Sequence, residues 1–243
     1  LTLQAIRNDF ARPTVHARNL FHISAAMYDA WSFSDDTSIP WLLNKELDDT
    51  DCAFSNLEEE ADQKFIEEVI SHTAYRMLRH RFKNSPGKEQ TYRDTDTLMN
   101  FLGYAPTETS SVTLSNASQL AITIADCYIN YGMTDGANEA DDYSNRFYEP
   151  VNPPLNPEFP GNPNILNLSR WQPLSLSTFI DQSGNTIESE PEFFGPEWGN
   201  VSPFALKEID LSTFERDGNR FNVYFDPGSP PDADAYLSEI FKW

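Results

Sequence analysis

The segment Arg12–Trp31 concentrates the side chains of this chain that could do chemistry. Its sequence, RPTVHARNLFHISAAMYDAW, sets two arginines and two histidines in an otherwise apolar, alanine-rich stretch. Guanidinium groups bind oxyanions, and imidazoles bind metals or transfer protons. Charged side chains rarely enter a buried helix unless they are paired or functional. This segment is therefore the first candidate for a functional site.

A helical projection at about 100° per residue separates this segment into two faces. A narrow polar stripe carries Arg18, His22 and Asp29. We favour the interpretation that this stripe faces solvent or forms structural pairs. The alternatives are a polar cavity wall in which Arg18 and His22 bind an anion, and a contact between subunits. The opposite face is apolar and includes one histidine, expected to be a core residue bonded to a carbonyl: His16, Leu20, Ile23, Met27 and Trp31.

The other candidate sites are weaker. His72 and His80 stand eight residues apart on one predicted helix, about 80° from each other, which is a poor arrangement for a metal. The acidic run 135–142, DGANEADD, lacks the alternating oxygen ligands of a calcium loop and is predicted to be a solvated turn. No GxSxG, HExxH, Walker or dinucleotide-binding pattern is present. From the residues alone, we predict no catalytic, cofactor-binding or metal-binding residue.

The net charge and the cysteine content limit the classes of function that this chain is expected to have. The 243 residues include 38 acidic and 17 basic ones, a net charge of −21, which disfavours nucleic acid and anionic membranes as partners. No apolar run approaches the roughly 20 residues that span a bilayer, so a soluble protein is expected. Cys52 and Cys127 either form one disulfide or remain two unpaired thiols, and we favour the unpaired thiols. The chain starts inside a helical pattern, so we expect a piece of a longer protein.

The elements that position these residues are predicted to be mainly α. Pro13 favours a helix start there, and Ser55 with Glu58 forms a capping box for a later helix. We expect a helical bundle with long proline-rich wrapping loops and at most a short β-hairpin, at 178–187. Residues 1–133 would form the bundle, and 134–243 a proline- and aromatic-rich wrapping segment of the same domain. The expected helices are one ending before Arg12, one from Pro13, and those at about 56–83, 86–102 and 114–131, the last ending at Gly132.

Five segments, in order along most of the chain, resemble the sequences of one protein family. They are RNDFARPTVHARNLFHISAAMYDAW (7–31), YEPVNPPLNPEFPGNPN (148–164), RWQPL (170–174), FIDQSGN (179–185) and EFFGPEWGNVSPFAL (192–206). Together they resemble the amino-terminal part of bacterial vanadium-dependent haloperoxidase-like proteins, which are relatives of the type 2 phosphatidic acid phosphatases. The resemblance implies paired helical bundles with long loops packed around them.

The resemblance implies a vanadate cofactor for the parent protein but no catalytic residue in this chain. The family holds the oxyanion with a K-x6-R-P motif, a Ser-Gly-His motif, and a final arginine with a histidine. None of the three is present: the only Arg-Pro is Arg12-Pro13, and Ala5 stands where the lysine would be. The site is therefore expected in the carboxy-terminal half of the parent.

The expected parent oxidises halide with hydrogen peroxide. The partners implied for this chain are the carboxy-terminal half, the small-molecule substrates halide and peroxide, and a homo-oligomer. Secretion or a periplasmic location is expected from the acidity and the family. Two alternatives stay open: a phosphoester hydrolase of the acid-phosphatase type on the same fold, and a non-catalytic helical protein.

Overall fold

A computed structural model describes most of the chain, and its residues fall into two compact units. The first unit comprises Leu1–Asp142 and Ile180–Thr186, and the second Tyr143–Phe179 and Ile187–Trp243. The grouping of both parts in one domain stays a prediction. The residues described are 1–35, 37–43, 46–47, 50–52, 62–106, 115–180, 184, 186–187, 193–216 and 218–223.

The described part of the first unit is mainly helical, which confirms the predicted fold class. The proline at position 13 opens the second helix as predicted, and Gly103 ends the fourth with a left-handed φ of 82°. None of the described helices is long and apolar enough to cross a membrane. The α-helices among the described residues are α1 (Thr2–Arg7), α2 (Pro13–Ser32), α3 (Gln63–Arg81), α4 (Lys88–Leu102) and α5 (Asn116–Thr134).

Two helix boundaries differ from the prediction. α3 begins at Gln63, because the extended Asp62 caps it and accepts a hydrogen bond from the Phe65 N–H at 2.7 Å. The predicted start at about 56 is therefore wrong, and its capping box at residues 55 and 58 lies outside the described residues. α5 does not end at Gly132 but continues to Thr134, so this glycine has another role.

The core of the first unit lies where α3 packs against α2 and α5. The α2 residues Ala26 and Ala30 are fully buried, as are the larger side chains Met77 and Tyr128 on the other two helices. Each large apolar side chain buried in this way contributes about 1.5–3 kcal/mol. Alanine on α2 leaves room for these larger neighbours.

The faces of α2 are not those expected from the projection. Leu20 and Trp31, assigned to the apolar face, are 37% and 41% exposed. Arg18, His22 and Asp29 are buried instead. The part of the favoured interpretation that turns this stripe toward solvent is therefore wrong. A charged stripe can point inward when the interior supplies partners for it.

Short strand pairs complete the described structure. The pair β3 (Phe179–Ile180) and β4 (Thr186–Ile187) confirms the predicted hairpin. Two further pairs were not predicted: β1 (Glu46–Leu47) with β2 (Thr50–Asp51), and β5 (Ser212–Arg216) with β6 (Asn219–Val223), both antiparallel.

A disulfide joins Cys52 to Cys127, so the favoured interpretation of two unpaired thiols is wrong. The two Cα atoms lie 5.7 Å apart, a usual separation for a disulfide. The bond links the residue after β2 to the middle of α5. A separation of 75 residues gave no sign of this proximity in the sequence.

One buried asparagine organises the proline-rich part of the second unit. Asn152 is 2% exposed, and its Nδ2 lies 2.8, 2.8 and 3.2 Å from the carbonyl oxygens of Asn167, Arg170 and Trp171. Its Oδ1 accepts from the N–H groups of Leu166 and Asn167. A segment without helical or strand periodicity is thus held by side-chain bonds to its backbone.

A carboxylate performs a similar role nearby. Glu197 Oε1 accepts from the backbone N–H groups of Phe147, Tyr148 and Arg146 at 2.7, 2.9 and 2.9 Å. These bonds, the one from Phe147 above all, hold the pKa of Glu197 below its ordinary value. The ring of Phe193 stacks on Trp171 at 5.0 Å between centroids. Polar anchors and aromatic contacts together order this proline-rich segment.

Candidate functional site

Arg18 lies at the centre of a buried charged cluster in the first unit. Its Nε donates to Asp135 Oδ2 at 2.5 Å, and its Nη2 donates to Glu139 Oε2 at 2.8 Å. The same Nη2 donates to the carbonyl of Gly132 at 2.8 Å. The two carboxylates belong to the segment that follows α5. Arg18 therefore ties α2 to the end of α5 and to the residues beyond it.

A second buried guanidinium joins the same carboxylate from α3. Arg81 Nη1 donates to Glu139 Oε2, and Arg81 Nη2 donates to the Tyr128 carbonyl at 3.0 Å. Arg81 Nη2 also lies 2.8 Å from His22 Nδ1. A guanidinium can only donate, so His22 Nδ1 is an acceptor and the ring proton is on Nε2. That nitrogen faces Asp135 Oδ2 at 3.6 Å.

Glu139 is the carboxylate on which three basic side chains converge. Besides the two guanidinium groups at Oε2, His80 Nε2 lies 2.8 Å from Oε1. Burial alone would raise the pKa of Glu139, but the His80 hydrogen bond and the charges of Arg81 and Arg18 together hold it below its ordinary value. Glu139 is therefore ionised throughout the physiological range.

The formal charges of this cluster balance. Arg18 and Arg81 contribute two positive charges, and Asp135 and Glu139 two negative ones. Buried charges persist only when they are paired in this way. The stripe thus forms structural pairs, as favoured from the sequence, but with partners the sequence did not identify. The prediction that Arg18 and His22 bind an external anion stays a prediction.

The prediction of a solvated turn at residues 135–142 is wrong for the two acidic partners of Arg18. Asp135 and Glu139 are instead 3% and 7% exposed. Asp135 also accepts from the Ala137 N–H at 3.0 Å, which closes a tight turn after α5. Nothing in the sequence indicated these pairs, because the burial of Arg18 and Arg81, which requires carboxylate partners, is visible only in the structure.

Asp29, the third residue of the stripe, belongs to a different hydrogen-bond set. Its carboxylate accepts from the N–H groups of Trp41, Leu42 and Leu43 at 2.6, 2.9 and 3.2 Å. It also accepts from the Tyr128 hydroxyl at 2.8 Å. Asp29 is fully buried and anchors the segment after α2 to the core. Tyr128 joins the two sets, because its carbonyl accepts from the charged cluster.

The remaining histidines have separate environments. His16 Nε2 lies 2.8 Å from the carbonyl of Phe10, which confirms the predicted core histidine. His72 is buried beside Glu68, at 3.9 Å, whereas His80 bonds Glu139. The described residues contain no group of three or more histidine, cysteine or acidic side chains that could hold a metal.

We expect Gly132→Ala to destabilise the protein, although alanine is ordinarily the better helix former. A Cβ at this position would lie 2.7 Å from Arg18 Nη2 and 2.7 Å from Arg81 Nη2. Moving either guanidinium weakens buried charge-assisted hydrogen bonds worth about 1.5–3 kcal/mol each. The higher helix propensity of alanine offsets about 1 kcal/mol of this effect. Urea unfolding should therefore show a free energy of unfolding lower by about 1–2 kcal/mol.

Gly199→Ala is the matched control for that substitution. A Cβ at Gly199 would meet nothing within 4 Å, so the Gly199→Ala variant should be as stable as the original chain. A Gly132→Ala variant as stable as the Gly199→Ala variant would contradict close packing of the two guanidinium groups on α5.

Lowering the pH from 7 to 5 should destabilise the protein through His22. Burial, with the charges of Arg81 and Arg18, lowers the pKa of His22 well below its ordinary value. The unfolded chain then binds a proton below about pH 6.5 that the folded chain does not. Stability therefore falls with falling pH, by at most about 1.4 kcal/mol per pH unit for this group. His72, whose pKa burial also lowers, acts in the same direction.

Urea unfolding at pH 7, 6 and 5 measures this slope, and His22→Gln should reduce it. His72→Gln is the comparison, because it removes the other histidine with a lowered pKa. Glu139 does not contribute to the slope between pH 7 and pH 5. The stability that its ionised carboxylate adds is present above the unfolded pKa of about 4.3 and is lost only below that value. An unchanged slope in His22→Gln would mean that His22 is not a buried neutral imidazole.

Comparison with known proteins identifies no relative of this chain. No protein-family model, no curated protein and no solved structure matches it.

Proposed function

We propose that this chain is the amino-terminal helical part of a vanadium-dependent haloperoxidase-like protein. The observation that carries the proposal is the sequence resemblance of residues 7–31 and of four later segments, in the same order. The mainly helical fold of the first unit is consistent with it. The parent would use a histidine-bound vanadate to oxidise halide with hydrogen peroxide.

The polar residues inside these segments provide a second line of support. Arg18 and Asp29 lie in the first segment, and both are buried with ionic or hydrogen-bond partners. Asn152 and Glu197 lie in later segments and hold the wrapping loops. Three of the five resembling segments thus contain residues on which the local fold depends.

An uncharged stripe on α2 supports a role as one half of a larger protein. Its members are exposed, and none is charged in a chain with a net charge of −21. Apolar surface of this kind often marks an interface. We propose that the carboxy-terminal half of the parent covers it. This uncharged stripe, which is distinct from the polar stripe of Arg18, His22 and Asp29, consists of Ala17, Leu20, Ser24, Tyr28 and Trp31.

The residues described in this chain do not fit a vanadate ion. The two buried arginines, Arg18 and Arg81, are already paired with Asp135 and Glu139. The family motifs that hold the oxyanion are not present in the sequence either. The proposal therefore assigns the vanadate ligands and the catalytic residues to the carboxy-terminal half, and this chain supplies packing around them.

The disulfide supports a location outside the cytoplasm. Disulfides persist in oxidising compartments such as the periplasm or the cell exterior and are rare in the cytosol. The Cys52–Cys127 bond and the strongly acidic composition are consistent with a secreted or periplasmic parent.

The test is a halide-oxidation assay of the natural protein that contains this chain, with and without added vanadate. Vanadate-dependent oxidation of bromide or chloride by hydrogen peroxide is the expected result. Turnover of a phosphoester without vanadate-dependent peroxidase activity would favour the phosphatase instead. The absence of both activities would leave the non-catalytic helical protein as the better interpretation.

A further inference from the structure

Glu139 is held as a protein holds a small carboxylate ligand. Two guanidinium groups, from Arg18 and Arg81, donate to one of its oxygens, and the His80 ring meets the other. These three side chains come from two helices, α2 and α3. Glu139 itself comes from neither, because it lies on a three-residue 3-10 turn, Glu139–Asp141, beyond the end of α5.

The short turn that carries Glu139 is closed by two backbone hydrogen bonds, from the Asp141 N–H to the Asn138 carbonyl and from the Asp142 N–H to the Glu139 carbonyl. The residues that flank it, Asn138 and Asp142, both have left-handed backbones, with φ of 59° and 49°. Among residues other than glycine, asparagine and aspartate adopt this conformation most readily. Asp142 bonds Arg12 at the surface, at 3.2 Å, whereas Glu139 reaches the buried cluster. The carboxylate of Glu139 thus attaches the turn to the buried cluster.

The cationic side of this contact is built independently of Glu139. Asp135 holds Arg18 through Nε, and the carbonyls of Gly132 and Tyr128 accept from the two guanidinium groups. His22 accepts from Arg81 as well. None of these bonds involves the Glu139 carboxylate, so they remain available to hold both arginines in a variant that lacks it. Without Glu139 the cluster would keep two positive charges against the single negative charge of Asp135.

We propose that Arg18, Arg81 and His80 form a binding site for a small monocarboxylate, and that Glu139 is its intrinsic ligand. This inference is independent of the proposed haloperoxidase relationship, because it rests only on contacts within the first unit. In the unmodified chain the tethered carboxylate has a high effective concentration and keeps external anions out. When the side chain of residue 139 is shortened, a free carboxylate of matching size should replace it.

The experiment is specific because the size of each added carboxylate matches the group that one substitution removes. Glu139→Ala removes a CH₂–COO⁻ group, which corresponds to acetate, whereas Glu139→Gly removes a CH₂–CH₂–COO⁻ group, which corresponds to propionate. Both variants are unfolded with urea in chloride, sulfate, acetate and propionate at equal ionic strength. Binding to the folded state alone raises the folding equilibrium constant by the factor 1 + [ligand]/Kd. At ten times Kd the rise is about elevenfold.

The expected result is that acetate stabilises Glu139→Ala by about tenfold or more in the folding equilibrium, relative to chloride and sulfate. Propionate should have its largest effect on Glu139→Gly. The unmodified chain should show no preference for a carboxylate over chloride.

Asp126→Ala is the matched control, because Asp126 accepts two bonds from Arg76 in a partly exposed pair. Its removal should give no carboxylate-specific response. Equal rescue of the Glu139 variants by chloride or sulfate would overturn the proposal. So would no rescue, including the case in which both variants lack a cooperative transition in every salt.

Discussion

Asp29→Ala is expected to lower the free energy of unfolding by about 3–5 kcal/mol. The substitution leaves three backbone N–H groups, those of Trp41, Leu42 and Leu43, without their acceptor, together with the Tyr128 hydroxyl. Each buried donor that loses its partner costs about 1–3 kcal/mol, and the costs add only partly because the segment can relax. Urea unfolding followed by circular dichroism measures the loss.

Asp35→Ala is the control for Asp29→Ala, because it also removes an aspartate that accepts several hydrogen bonds, but at the surface. Asp35 also accepts three hydrogen bonds, from the Thr37 N–H, the Thr37 hydroxyl and the Ser38 hydroxyl. These bonds lie at the surface, where water replaces the lost acceptor, so only a small change is expected. Equal losses for Asp29→Ala and Asp35→Ala would contradict a buried anchor at Asp29.

The phenol of Tyr128 allows one further check on the Asp29 contact. Burial and the negative charge of Asp29 raise the pKa of Tyr128 above its ordinary value, so its hydroxyl stays a donor. In a double-mutant cycle, Tyr128→Phe should be less harmful in the Asp29→Ala background than in the original chain. The reason is that the phenol has already lost its acceptor there.

The helices could be predicted because their signals are local. Pro13 sets the start of α2, and Gly103 ends α4 with a left-handed φ. Local signals fail where a residue is selected by a distant contact. Gly132 looked like a helix terminator, but it lies inside α5, where the absence of a Cβ admits two guanidinium groups.

The candidate site was predicted only in part, because its pairs are distant in sequence. Arg18 and Glu139 are 121 residues apart, and Arg81 and Glu139 are 58 apart. The helical projection located Arg18 and His22 on one stripe correctly. It could not show that the stripe points inward, because that depends on carboxylates supplied by another part of the chain. An amphipathic pattern assigns faces, whereas pairing decides which polar face is buried.

The second unit shows a different limit of sequence reasoning. Its prolines and aromatic residues predicted a packed wrapping segment without regular elements, and no periodicity indicated how it is held. Asn152 and Glu197 hold it through bonds to backbone groups 14 to 51 residues away. Such anchors leave no repeating pattern, so one asparagine among several in a proline-rich run is not distinguishable from the others.

Removing the disulfide is expected to cost about 4 kcal/mol of stability. The Cys52–Cys127 bond closes a loop with a sequence separation of 75 residues. In the chain-entropy description, a crosslink of this span restricts the unfolded state by about that amount. Both cysteines are buried, at 5% and 7% exposed, so a Cys52→Ala/Cys127→Ala double variant adds no buried polar group. Urea unfolding of this variant without reductant measures the loss.

A reductant distinguishes the crosslink from the packing of the two side chains. Dithiothreitol should lower the stability of the original chain toward that of the double variant and should leave the double variant unchanged. The disulfide and Asp29 each hold part of the chain between α2 and α3, at Cys52 and at Trp41. Protease cleavage after Trp41 should therefore be faster in reduced Asp29→Ala than in oxidised Asp29→Ala or in the reduced original chain. Two results together would contradict the disulfide itself: an unfolding midpoint that reductant does not change, and two free thiols detected in the native protein by a thiol reagent.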